Sequence, residues 1–193
     1  MSYEKLYLTS APSITNLIPG KKPIVKILGV PFDATSTYRS GSRFGPNAIR
    51  EAFLNIEVYS HRLRVDLEAL SVEDLGNLYP TASVEEMVKA VGKVVSETVS
   101  DGFTPAILGG EHTITYGAFR EMPKDATLVI FDAHLDLRDE YANLKLSHTT
   151  FLRRLVEKHD AKSIIHIGAR AATRDEWMLR DKIGLKTIPA QAI

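Results

Sequence analysis

Five consecutive residues, Asp132-Ala133-His134-Leu135-Asp136, concentrate three side chains able to hold a metal ion or move a proton. They follow Thr127 to Phe131, a continuous apolar run that reads as a buried strand. In an extended segment side chains two apart point the same way, so Asp132, His134 and Asp136 are expected to converge beyond the strand's carboxyl end. Open α/β sheets place their sites there. Two carboxylates this close are costly to bury unless a cation neutralises them, and a divalent ion does so while also holding a neutral imidazole. The oxygen and nitrogen donors, in a chain without cysteine, suit Mn²⁺, Fe²⁺ or Zn²⁺. The plainer alternative makes Asp132 and Asp136 loop caps and His134 a satisfied core residue.

A second group, Gly109-Gly110-Glu111-His112, also follows a buried run, Thr104 to Leu108. Its glycines allow tight turning or close backbone approach, which would aim His112 into the same crevice. Taken alone, His112 is a hydrogen-bonded loop histidine; taken with the first group, it is a fourth ligand.

The elements that must carry these residues alternate between short β-branched runs and longer stretches of helical period, the pattern of an α/β protein with a mainly parallel sheet. Ile24 to Val30 is the first clear strand, followed by a polar loop from Phe32 to Gly45 and a helix from Pro46. Arg64 to Leu75 holds one or two strands. Ser83 with Glu86 three residues on is a capping-box signature, and Val84, Val88, Val91, Val95 and Val99 form the apolar face of the helix it starts. Further helices are expected from Thr113 to Arg120, His148 to His159 and Asp175 to Lys182, with strands at Ser163 to Gly168 and Leu185 to Ile188. Pro189 to Ile193 reads as the start of another helix, which makes the chain look cut.

Composition narrows the partners. The 193 residues hold 24 Lys+Arg and 24 Asp+Glu, for a formal net charge of zero, with no basic surplus for nucleic acid. At 44% apolar and 25% charged the chain reads as one soluble globular domain, residues 1–193. It shows no targeting signal and no apolar run long enough to span a membrane, so a cytoplasmic setting is expected.

These residues resemble the ureohydrolase family of arginase and agmatinase. The family's Gly-Gly-Asp-His motif is matched by Gly109 to His112, with Glu111 in place of aspartate, and its Asp-Ala-His-x-Asp motif by Asp132 to Asp136. Pro31-Phe32-Asp33, the stretch Tyr38 to Pro46, and Gly168-Ala169-Arg170 match as well, so the similarity covers nearly the whole chain. The resemblance implies a three-layer α/β/α fold with a mainly parallel sheet, assembly into trimers or hexamers, and a small guanidino substrate. It also implies two Mn²⁺ ions sharing a bridging hydroxide, with His112 and Asp136 on one ion, His134 on the other and Asp132 bridging both. The reaction would release urea and an amine. Guanidinium is a poor electrophile, and a metal-activated water supplies a strong nucleophile at neutral pH. His148 matches the family's proton-shuttling histidine, a role open to imidazoles as a class. Arg138 stands where arginases carry an asparagine for the substrate carboxylate, which looks like agmatinases; Asp139 or Glu140 could then face a cationic group, the plainer alternative being a solvated loop. Agmatine, cleaved to putrescine and urea in polyamine metabolism, is the expected substrate, with arginine or another guanidino acid as the alternative.

The family's third motif, Ser-x-Asp-x-Asp, has no counterpart after Ala169, so two of six metal ligands are missing. The expectation is an N-terminal portion of a ureohydrolase that by itself binds metal weakly and releases no urea. A non-catalytic binding or regulatory subunit is a competing reading. A dinuclear metallophosphoesterase is another, but it requires Gly-Asn-His, and Gly76-Asn77 is followed by Leu78.

Overall fold

The computed structural model describes residues 2–193, which form two compact units, one running to Glu111 and the other from His112 to Ile193. The first unit contains α1 (Tyr3–Tyr7), β1 (Leu8–Thr9), β2 (Val25–Val30), α2 (Gly45–Phe53), β3 (Tyr59–Ser60), β4 (Val65–Asp66), β5 (Val72–Leu78), α3 (Val84–Ser100) and β6 (Thr104–Gly109). Its main sheet has the order β1-β5-β2-β6, with β5, β2 and β6 parallel and β1 antiparallel on β5. β3 and β4 form a separate antiparallel pair. The expectation of one or two strands between Arg64 and Leu75 resolves into β4 and the start of β5.

β2 is buried along nearly its whole length, as an inner strand of a parallel sheet should be, whereas the runs expected to form buried strands at β6 and at Thr127 to Phe131 are only partly covered, with Val129 and Phe131 exposed. Leu28 and Val30 on β2 are buried, as are Met87, Val88, Val91, Val94 and Val95 on α3. The Ser83 hydroxyl accepts the Glu86 amide at 3.2 Å and starts α3, while the Glu86 carboxylate takes the Thr81 hydroxyl at 2.6 Å, so only half of the capping box forms. Val99 is exposed; Met87 and Val94 complete the buried stripe instead. β6 ends at Gly109, and Gly110 then passes so close to the Phe32 carbonyl that a Cβ would stand 2.0 Å from it. Only glycine lets the Glu111 amide reach that carbonyl, at 2.9 Å.

The second unit contains α4 (Thr113–Phe119), β7 (Leu128–Phe131), α5 (Phe151–Val156), β8 (Ile164–Ala169), α6 (Arg174–Ile183) and β9 (Lys186–Pro189). Its sheet, β7-β8-β9, is parallel throughout. Ile130 and Ile164 lie buried, with Phe151, Leu152 and Leu155 of α5 among the buried side chains of the same unit. α5 is shorter than the helix expected over His148 to His159. The Ser147 amide donates to the Thr150 hydroxyl at 2.8 Å, and this side-chain bond turns the backbone before the helix can start. The C-terminal segment ends in a 3-10 turn, Ala190–Ala192. Among the described residues, no helix is long and apolar enough to cross a membrane.

Candidate metal centre

Asp132 and His112 each sit at the end of a regular element, and His134 and Asp136 follow on the loop after β7. Asp132 follows β7 directly, and its amide continues the ladder by donating to the Ile167 carbonyl at 3.0 Å. Gly168, at a φ of +97°, lies beneath this point, where a Cβ would come 3.2 Å from the Asp132 carbonyl. The Ala133 carbonyl accepts both the Arg170 and Ala171 amides at 2.9 Å, which ties the loop after β7 to the loop after β8. His112 is the residue just before α4, and its ring packs on Phe151 with centroids 4.2 Å apart.

His112, Asp132 and Asp136 each offer a ligand atom within 4.8 Å of the others. His112 Nδ1 lies 2.8 Å from Asp132 Oδ2 and 3.3 Å from Asp136 Oδ2. The route to this convergence differs from the expected one. The loop is not extended through Asp136, which has a φ of 49°, in the left-handed region. That turn, rather than strand alternation, brings its carboxylate back. Leu135 and Leu137 on either side of it are fully buried.

His134 stands apart from the three. Its side chain is 64% exposed, and its Nδ1 lies 3.4 Å from the other Asp132 oxygen, Oδ1. Asp132 therefore turns Oδ2 toward His112 and Oδ1 toward His134. His148 lies half-buried in the turn before α5, outside the three-residue cluster.

The electrostatics are those of donors crowded together. Burial pulls the His112 pKa down, but hydrogen bonds and charge from Asp132 and Asp136 outweigh it and raise the pKa to about 9. Burial pushes Asp132 up, yet its bonds to His112 and to the His134 amide hold it near 2. For Asp136, burial and the neighbouring Asp132 charge prevail over the His112 bond and raise the pKa. A proton shared with His112 is thus what compensates two adjacent carboxylates, and a divalent cation is the natural replacement for that proton. The residues present fit a metal ion.

Asp139 and Glu140, read either as facing a cationic group or as a solvated loop, are exposed and paired within the chain. Lys145 and Arg154 hold Asp139 at 2.7 and 2.6 Å and lower its pKa to about 2, and Lys145 also lies 3.3 Å from Glu140. Arg138 lies over the Tyr141 ring, with its guanidinium carbon 5.1 Å from the centroid.

Three further residues have structural roles that the sequence reading did not assign. Glu111, beside rather than at a ligand position, is buried and accepts the Thr35 amide at 2.8 Å together with the Thr35 hydroxyl. His166 is buried on β8 and reaches the His134 carbonyl. Its place among the inward residues of a predicted strand was the available signal. Glu176 is the third, and Thr173-x-x-Glu176 is a capping signature that could have marked it.

Comparison with known proteins gives the following. The sequence model of the arginase family matches residues 24–193. An agmatinase of Pyrococcus horikoshii is 37% identical over 168 residues, covering 86% of this chain and 58% of its own. An N(1)-aminopropylagmatine ureohydrolase of Thermococcus kodakarensis is 36% identical over 172 residues, covering 83% and 56%. The crystal structure of the agmatine ureohydrolase of Thermoplasma volcanium superposes with a TM-score of 0.87 at 38% identity, over 95% of this chain and 63% of that one. The chain thus spans about three fifths of the length of the relatives it matches.

Proposed function

The chain belongs to the arginase family, with its α/β fold, and on that premise we propose that it forms part of an agmatinase, hydrolysing agmatine to putrescine and urea on two Mn²⁺ ions. The observation that carries this reading is the division of Asp132 between His112 and His134. One carboxylate facing two imidazoles from opposite oxygens supports a bridging role. In this reading His112 and Asp136 would hold one ion and His134 the other, with Asp132 serving both. When bound, the ions supply Lewis-acid activation of water at neutral pH.

The chain's own residues do the rest. The C–N bond between the guanidino carbon and the substrate's alkyl nitrogen breaks as water adds, and the leaving amine must gain a proton. We assign that proton to His148, held in the Ser147 to Thr150 turn. Arg138, in place of the asparagine of arginases, directs its guanidinium to Glu176 and the Tyr141 ring rather than to a substrate carboxylate, which supports agmatine over arginine. The match to the family model runs unbroken across the boundary between the two units, which supports reading residues 1–193 as part of one ureohydrolase-like domain.

The reading concerns the site as completed by the two aspartates of the family's third motif, which these 193 residues do not contain. The test joins this chain to the segment that follows the matched region in the Pyrococcus horikoshii agmatinase and measures urea release with Mn²⁺. Agmatine should be cleaved at least about tenfold faster than arginine, an achievable discrimination for one misfitted substrate group. Faster release from arginine, or no urea from a folded, Mn²⁺-loaded fusion, would overturn it.

A further inference from the structure

Asp136 turns through the left-handed region although it carries a side chain, a conformation that persists only where its surroundings enforce it. On the amino side, Leu135 is locked in the core. On the carboxyl side, the Leu137 amide donates to Glu176 Oε1 at 3.0 Å, a bond between residues 39 positions apart in the chain. Glu176 is itself buried, and its other oxygen, Oε2, accepts the Thr173 amide at 2.9 Å and the Thr173 hydroxyl at 2.8 Å. Arg138 Nε lies 3.7 Å from the same oxygen. The Asp136 carbonyl is met by the Arg153 amide at 3.3 Å.

The two oxygens of Glu176 therefore have different duties. Oε2 completes the capping box that starts α6, where an anionic side chain also suits the positive end of the helix. The cap needs nothing more from this residue. Oε1 is surplus to it and is spent on the loop that carries Asp136.

We infer that Glu176 is a positioning residue for the metal centre: by holding the Leu137 amide it fixes the turn at Asp136 and so sets that carboxylate against His112 and Asp132. Glu176 touches neither a ligand side chain nor substrate in this role. It acts as the outer support that orients a ligating group, and losing such a support commonly lowers metal affinity about 10–100-fold. The inference rests on the metal reading above for its consequence, but the clamp itself is a property of the backbone.

The test compares wild type, Glu176→Ala, Glu176→Gln and Thr173→Ala by amide hydrogen exchange at Leu137 and by Mn²⁺ titration of the purified chain. In Glu176→Ala, Leu137 exchange should rise at least about tenfold and Mn²⁺ affinity should fall about 10–100-fold. Thr173→Ala removes the capping hydroxyl and lowers the melting temperature, but should leave both readings near wild type. Glu176→Gln retains bulk should the alanine variant fail to fold, and its two readings should move together or not at all. Unchanged Leu137 exchange in a folded Glu176→Ala protein overturns the inference, as does an equal change in Thr173→Ala. Should wild type take up no Mn²⁺, the titration is read on the fusion that completes the site, where no uptake makes the metal reading fail, while Leu137 exchange still decides the clamp.

Discussion

His166 places its Nε2–H on the main-chain carbonyl of His134 at 2.7 Å, so a buried imidazole of β8 holds the loop beyond β7 from beneath. Its Nδ1 has no hydrogen-bond partner among the described residues, and burial keeps its pKa below the usual histidine range. The ring is thus neutral with the proton on Nε2, because a carbonyl can only accept. Replacing it by phenylalanine keeps the volume and strips the donor, which leaves a part-buried carbonyl unsatisfied at a cost of about 1–3 kcal/mol. For a chain of this size the melting temperature should fall by about 2–12 °C. Thermal unfolding of His166→Phe checks this, and an unchanged midpoint would show that water serves the carbonyl equally well.

Metal binding should be coupled to proton release, with a sign set by His112. Without metal its pKa is about 9, so at neutral pH it is protonated, and a ligating imidazole must give that proton up. Mn²⁺ affinity should therefore rise about tenfold per pH unit between about pH 6 and 8 and level off above about 9. Calorimetry in buffers of differing ionisation enthalpy counts the proton directly. Stability of the metal-free chain follows the same groups. The raised His112 pKa contributes stability that is fully present below the unfolded value of 6.5 and lost as pH rises through 9. The depressed Asp132 pKa contributes stability that is present above the unfolded value of 3.8 and lost as pH falls toward 2. Affinity independent of pH below 8 would sink this account.

How far the site could be read from sequence depends on which interaction placed each residue. The Thr127 to Phe131 run identified β7 through its β-branched and aromatic composition, and that placed Asp132 at a strand's carboxyl end, although the burial expected of the run holds only at Ile130, with Val129 and Phe131 exposed. The family resemblance, and with it the α/β fold, was likewise legible in the motifs around His112 and Asp132. The turn at Asp136 was not. A positive φ at an aspartate leaves no signature when it is imposed by buried leucines and by a glutamate on a distant helix. The helix at His148 was overextended for a related reason. Its apolar period continues, but Ser147 and Thr150 satisfy one another and delay its start to Phe151.

Glu111 shows the same limit from another side. Read as a mild departure from aspartate next to a ligand, it is the buried anchor of the loop at Thr35, taking both its amide and its hydroxyl. Glu111→Ala should destabilise the chain by about 2–4 kcal/mol, since two donors lose a charged acceptor in a buried setting. Glu111→Asp shortens the reach by one methylene and should fall between alanine and wild type. Urea denaturation at constant m-value resolves the three, and an aspartate as stable as glutamate would mean that the loop simply follows the shorter side chain.

Arg50 tests whether the first unit depends on one buried charge. Its side chain is fully buried on α2, with Nε 2.8 Å from Asp74 Oδ2 and Nη2 2.7 Å from Asp74 Oδ1, a bidentate pair whose acid is also fully buried. Nη1 donates to Asn77 Oδ1 at 2.6 Å and Nη2 to the Gly76 carbonyl at 2.9 Å. Lysine carries the same charge but concentrates three donors at one point, and it cannot serve acceptors spread around a planar fork. Arg50→Ala should cost about 3–5 kcal/mol by leaving Asp74 charged and buried, and Arg50→Lys should recover only part of that. An apolar replacement of both partners would not restore stability here, because Asp74 also accepts the Ile14 and Gly76 amides at 3.2 and 3.0 Å. A double-mutant cycle between positions 50 and 74 should therefore show strong coupling, while Mn²⁺ affinity of the folded Arg50→Lys protein stays at the wild-type value. A fall in Mn²⁺ affinity that tracks the loss of stability would instead make this ion pair a support of the metal centre.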